Sequence, residues 1–370
     1  MNIIVQEPFN NLVKTDTIDT NLFLLNILKN IYNIIENTPN LNTSDKLDEI
    51  SHIFKSICFP TIETTLKPTL FSQMFKNITP IANGGFGVVY KAQHYLDNEY
   101  YAIKRMPMYI DFGDKSHISS LLLEKLREIR CLAKLNHPNI IIYKTSWLEP
   151  DSNLYQSEYD DELALLDDSE TSSNSDNDVS LFKKYIKFNV FYQMELMDIS
   201  LRDVLNMDRL KTRDNLIFVF NKILEGLDYL HTLETPIIHM DIKPENILLK
   251  IKKGTDKIID VKLADFGLLK YVYETNSQEG TTLYISPERE NKICDPSADI
   301  YSLGIILYET AHKWDTEMER IIKITELKEN PSNISGFTTV KTMVSDDYMK
   351  RPRAKELLDV IKISNIINIL

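Results

Sequence analysis

Cysteine is scarce: Cys58, Cys131 and Cys294 are the only three in 370 residues. No C-x-x-C or other short pairing links them, which excludes the disulfide framework of a small secreted domain and the usual structural zinc sites. A reducing interior compartment follows, with the cytoplasm as the expected location. No basic segment leading into a compact apolar core opens the sequence, so a secretory leader is not expected. The early run NLFLLNILKNIYNII is broken by Asn and Lys too often to span a bilayer, and no membrane association is expected. Internal repeats are missing too. No basic stripe marks a nucleic-acid site.

Basic residues vanish from one long stretch. Between Glu149 and Phe182 there are eleven acidic residues and no Lys or Arg. The net charge is −12, so the acidity is local and the rest of the chain is close to neutral. With SETSSNSDND at its centre, this stretch reads as a solvated insert over 149–187, carrying serines and threonines open to phosphorylation. It separates the strand-like IIIYKTSWLE from the strand-like VFYQMEL, so it interrupts a β-rich region rather than dividing domains.

Against these absences stands a dense set of chemically matched groups. The run IIHMDIKPENILL, followed by LADFGL, presents Asp241, Lys243, Asn246 and Asp265 in order, with apolar strand-like residues on both sides. A lone Asp is more often a loop residue or a helix cap, but four matched groups outweigh that reading. The two runs resemble the catalytic and metal-binding loops of protein kinases. The resemblance implies phosphoryl transfer from ATP with Mg²⁺, a reaction that relies on positioning and charge neutralisation. In that scheme Asp241 accepts the proton of the substrate hydroxyl. Asn246 and Asp265 offer hard oxygens to Mg²⁺, and Lys243 reaches the transferring phosphate and marks the Ser/Thr type.

The upstream order agrees. ITPIANGGFGVVYKA reads as strand, glycine turn, strand, and YYAIK follows on the next strand. The resemblance places the nucleotide against Ile81, Ala82, Asn83, Gly84, Gly85, Phe86, Gly87, Val88 and Val89, then Ala102 and Lys104, then Glu195 and Met197. Lys104 is expected to pair with Glu128 of the amphipathic run LLLEKLREIRCLAKL. Ala82 stands where the first glycine of the usual loop would be, which stiffens the turn. Downstream, Asp299 of ADIYSLGIILYE is expected to buttress the catalytic loop, and Glu288 to pair with Arg351. His239 and Phe266 read as packed core.

Over residues 76–365 the chain resembles more narrowly the kinases of the α-subunit of translation initiation factor 2. The residues that carry this are FGVVYKAQH, YYAIKRM, LAKLNHPNIIIYKTSWLE, FYQMEL, GTTLYISPE and DTEMERIIKITELKEN. The resemblance implies that subunit as substrate, docking near Thr316, although a Thr at a helix start also serves as an N-cap. Residues 21–37 and 45–59 read as two amphipathic helices similar to the N-terminal domain of the heme-regulated branch. Heme is thereby a candidate ligand with His52 as its axial residue, while the Cys-Pro pair of heme-responsive proteins is missing. Met240 replaces the Arg that precedes the catalytic Asp, so activity is expected to depend less on phosphorylation of Thr275, Ser277, Thr281 or Thr282. Met74 stands where relatives place an acidic dimer-face residue, so a homodimer would need contacts of its own.

The expected fold is α+β, a bilobal kinase fold: an N-terminal helical region over 1–69, a β-rich small lobe over 70–198 and a helical large lobe over 199–370. HMDIKP also occurs in Wee-type cell-cycle kinases, which supplies a second enzyme reading. A pseudokinase scaffold supplies a non-enzymatic one.

Overall fold

The computed structural model describes residues 69–84, 87–111, 127–150, 185–207, 209–271, 282–291, 293–334 and 337–364. The expected N-terminal helices, His52, most of the acidic insert, and Thr275, Ser277 and Thr281 lie outside these. Two compact units divide the chain. The smaller comprises Met1–Leu70, Pro107–Ile118 and Trp147–Val190; within it Trp147 Nε1 donates to Glu149 Oε1 at 2.7 Å. The larger, Phe71–Met106 with Ser119–Ser146 and Phe191–Leu370, carries the site.

A short helix α1 (Leu70–Met74) leads into β1 (Phe75–Gly84), β2 (Gly87–His94) and β3 (Tyr100–Asp111). After helical residues 127–132, here α2, come β4 (Tyr143–Pro150) and β5 (Tyr185–Glu195). The five strands form one sheet in the order β1-β2-β3-β5-β4. Antiparallel pairing of β1 with β2 ends at Gly84↔Gly87, which makes the glycine segment a hairpin. Gly87 has a φ of +124°, and a Cβ there would lie 2.1 Å from the Arg105 carbonyl oxygen, so no other residue fits.

The helical part begins with β6 (Ile199–Ser200) and α3 (Leu201–Leu205), whose Ser200 and Asp203 form a capping box. In α4 (Arg213–His231), Leu216, Val219, Phe220, Ile223, Leu224, Leu227 and Leu230 are buried, the spacing of a single apolar face. Strand β7 (Ile237–Ile238) and the 3-10 turn Pro244–Asn246 precede the hairpin of β8 (Ile247–Ile251) with β9 (Ile258–Leu263). Then β10 (Lys270–Tyr271) pairs back on β7. Every residue of α5 (Ser297–Thr310) after its first is buried, so this helix forms the centre of the lobe. Against it stand α6 (Glu317–Glu329) and α7 (Thr338–Met343), while α8 (Ala354–Ser364) packs on α4.

A β-rich small lobe and a helical large lobe are thus present, as the α+β expectation requires. Among the described residues, no helix is long and apolar enough to cross a membrane.

The large lobe is tied at its base by one buried ion pair. Both Arg351 guanidinium Nη atoms meet the Glu288 carboxylate at 2.7 Å, and the guanidinium lies 4.7 Å from the Tyr301 ring centre. With 0% and 4% of these side chains exposed, losing either partner strands a charge in the core. Glu288→Ala should cost about 3–5 kcal/mol in chemical denaturation. A cost below about 1 kcal/mol would contradict this account of the pair.

Candidate active site

Lys104 lies on β3 opposite Val89 of β2, with its side chain buried to 6% exposure. Its ammonium donates to Glu128 Oε1 and Oε2 at 3.1 and 3.3 Å, and to Asp265 Oδ1 at 2.7 Å. The expected Lys104–Glu128 pair is therefore present, and Asp265 joins it across 161 residues of chain. Tyr192 of β5, buried beneath the pair, donates its hydroxyl to Glu128 Oε1. Burial works against the Lys104 charge, but Glu128, Tyr192 and Asp265 outweigh it and hold the ammonium well above its ordinary value. Burial likewise opposes the Asp265 charge, yet Lys104 holds that carboxyl below its ordinary range. Both shifts keep the pair ionised. A Tyr in an apolar strand needs a hydroxyl partner once buried, which is the one signal that could have found Tyr192.

The second group lies on the loop before β8. Lys243 Nζ is 2.8 Å from Asp241 Oδ2. Asn246 Nδ2 donates to the Asp241 carbonyl and to Oδ2, each at 2.9 Å, so its own Oδ1 is the oxygen left for a cation. With Asp265 Oδ1 held by Lys104, Oδ2 is the corresponding atom there. Carboxylate and amide oxygens of this kind suit Mg²⁺, a hard cation. Across both groups three carboxylates face two ammonium groups, and that excess of negative charge also suits a divalent cation.

Backbone strain marks the same places. Met240 and Asp265 adopt φ values of 70° and 62°, which side chains other than glycine rarely take. Buried Asp299 fixes the first of these, accepting the N–H groups of His239 and Met240 at 2.9 Å each, while Arg289 Nη1 donates to the Met240 carbonyl at 2.8 Å. The Met240 side chain packs with Ile238, Leu268 and Ala298. His239 sits on the Phe266 ring at 4.6 Å and reaches the Ala264 carbonyl at 3.0 Å through Nε2, so both residues are core, as expected.

The other expected ligand residues fall as follows. In the hairpin, Ala82 opposes Val89 and Asn83 opposes Val88. Ile81 is half exposed, and a Cβ on Gly84 would meet nothing within 4 Å, so that backbone is open to close approach. Gly85 and Phe86 lie outside the described residues. Ala102 and Met197 are buried. Glu195 turns its carboxylate to the Ile142 N–H at 2.8 Å and to Lys262 Nζ at 3.3 Å, and its own N–H donates to the Ile142 carbonyl at 3.1 Å. Thr316 is exposed and caps α6, accepting the Glu319 N–H at 3.1 Å.

Comparison with known proteins matches residues 75–361 to the protein kinase domain. The chain is similar to the rat interferon-induced, double-stranded RNA-activated protein kinase, at 30% identity over 79% of this chain and 52% of that protein. It is also similar to the eIF-2-alpha kinase GCN2 of Schizosaccharomyces pombe, at 26% identity over 77% of this chain and 23% of that protein. Mouse eukaryotic translation initiation factor 2-alpha kinase 1 matches at 24% identity, over 77% of this chain and 66% of that protein. The chain therefore spans about half the length of the first of these relatives and about a quarter of the second.

Asp299 gives a pH signature. Burial would raise its pKa, but the hydrogen bond and charge of His231, 2.9 Å away, and the loop N–H groups hold it below the ordinary 3.8. A carboxyl depressed in the folded state contributes stability that is complete above the unfolded pKa and is lost as pH falls through the folded one. Below about pH 4 the wild type should lose stability more steeply than Asp299→Asn in urea unfolding. Parallel pH profiles would contradict this role.

Proposed function

The chain belongs to the protein kinase domain family, and from that premise we propose that it is a serine/threonine kinase acting on the α-subunit of translation initiation factor 2. The observation that carries the reading is Lys104, bridged to Glu128 and Asp265, beside the Asp241–Lys243–Asn246 cluster. ATP is the phosphoryl donor. Its phosphates meet Lys104, which Glu128 and Tyr192 orient. Mg²⁺, when bound through Asn246 and Asp265, neutralises charge on the phosphates. Asp241 takes the proton of the acceptor hydroxyl, and Lys243 exchanges its carboxylate partner for the oxygens of the transferring group.

The substrate assignment rests on α6 and on the relatives. Met318, Ile321 and Ile322 are exposed at i, i+3 and i+4, so the helix offers one apolar face beside Thr316. A protein docked there would bring a serine towards Asp241. Two of the three relatives, GCN2 and eukaryotic translation initiation factor 2-alpha kinase 1, carry that acceptor in their names, and on this reading the chain acts in stress-linked control of translation in the cytoplasm.

Radiolabel from Mg²⁺-ATP should pass to that α-subunit and not to a cyclin-dependent kinase. Asp241→Asn should reduce transfer by at least about a hundredfold. Label on the cyclin-dependent kinase alone would favour the Wee-type reading. Equal label from the variant would mean that Asp241 is no base.

A further inference from the structure

A second charge network lies at the base of α6, away from Lys104. Glu309, at the end of α5, is 1% exposed, yet its carboxylate accepts Arg202 Nη1 of α3, Arg320 Nη1 of α6 at 3.1 Å, and the Tyr284 hydroxyl at 2.7 Å. That hydroxyl accepts in turn from Arg202 Nη2 at 2.6 Å and Arg320 Nη1 at 3.1 Å. Burial and then Glu309 raise the Tyr284 pKa, so the phenol stays protonated and donates. Two guanidinium groups this close repel, and the shared carboxylate and phenol are what hold them together.

The network runs outward in three directions. Arg202 Nε reaches Glu245 Oε1 at 2.7 Å, one residue before Asn246. Arg320 Nε donates to Glu317 Oε2 at 3.0 Å, at the start of α6. The segment that carries Tyr284 is gripped again from α6, where Lys328 Nζ donates to the Ile285 carbonyl at 3.0 Å, and from α5, where Ser302 Oγ donates to the Tyr284 carbonyl at 2.8 Å. Five residues after Tyr284, Arg289 holds the Met240 carbonyl beside Asp241. Helix α6 itself buries only Ile324 and Leu327 among its described residues, so these polar ties are a large part of its attachment. A cavity of about 380 Å³ opens beside them, lined by Arg202, Glu309, Thr316 and Arg320 among others.

We propose that Arg320 is a positioning residue: through Tyr284 and Glu309 it couples the start of α6 to the 282–289 segment and so to the catalytic loop. Docking on α6 and seating of the acceptor hydroxyl at Asp241 are then one coupled event. The proposal rests on the kinase reading and on α6 as the docking helix.

The test compares the full chain with Arg320→Ala and Arg320→Lys. Acceptor KM, ATP KM and kcat are measured with the α-subunit and with a short serine peptide too small to reach α6. Amide hydrogen exchange over 282–289 is measured in parallel. Arg320→Ala should raise the peptide KM about tenfold, leave the ATP KM within about twofold, and speed exchange over 282–289 about tenfold. Arg320→Lys should recover part of each change, since one ammonium still reaches Glu309. A variant that weakens only the protein acceptor makes Arg320 a simple docking contact and overturns the proposal. Unchanged exchange over 282–289 overturns it as well. If the wild type labels no acceptor at all, the kinase reading fails, and the exchange comparison alone then decides the coupling.

Discussion

A buried ammonium group is tolerated only where anions surround it, and Lys104 is where this chain meets that constraint. Glu128 comes from α2, Asp265 from the segment after β9, and Tyr192 from β5, so one cation draws three distant parts of the polymer to one point. Each partner also needs the others. Without Lys104, two carboxylates would face each other beneath a sheet with no cation between them. The fold around the site can therefore be read as the scaffolding that keeps these charges compensated.

The catalytic loop obeys a related rule. Met240 and Asp265 hold backbone angles that cost energy, and such angles persist only when neighbours overdetermine them. Asp299 and Arg289 grip the two ends of the Met240 residue, its N–H and its carbonyl, while Lys104 grips the Asp265 side chain. Rigid α5 supplies Asp299 at one end and Glu309 at the other, so a single buried helix positions both the loop and the network under α6. Function is placed on loops here, but the loops are fixed by a helix.

Much of this was legible in the sequence, for a physical reason. Asp241, Lys243 and Asn246 act on the same few atoms, so the chemistry forces them close together along the chain, and such spacing can be read directly. The Lys104–Glu128 and Glu288–Arg351 pairs were legible through the family resemblance, and Asp299 likewise. The bridge from Lys104 to Asp265, the Tyr192 hydroxyl and the Arg202–Glu309–Arg320 group were not, because they join residues with no periodic or local relation. Nor did the sequence reveal that Glu195 would spend its carboxylate on Ile142 and Lys262. Thr316 shows how one residue supports two readings, since its hydroxyl caps α6 whatever else it meets.

The central claim is that the Lys104, Asp241, Asn246 and Asp265 side chains together form a site for a metal-bound triphosphate. Calorimetric titration of the purified chain with ATP, with and without Mg²⁺, tests this without requiring any acceptor. The account predicts binding that depends on Mg²⁺ and weakens at least about tenfold in Lys104→Met. Binding that ignores both the cation and the substitution, or no binding at all, would contradict it.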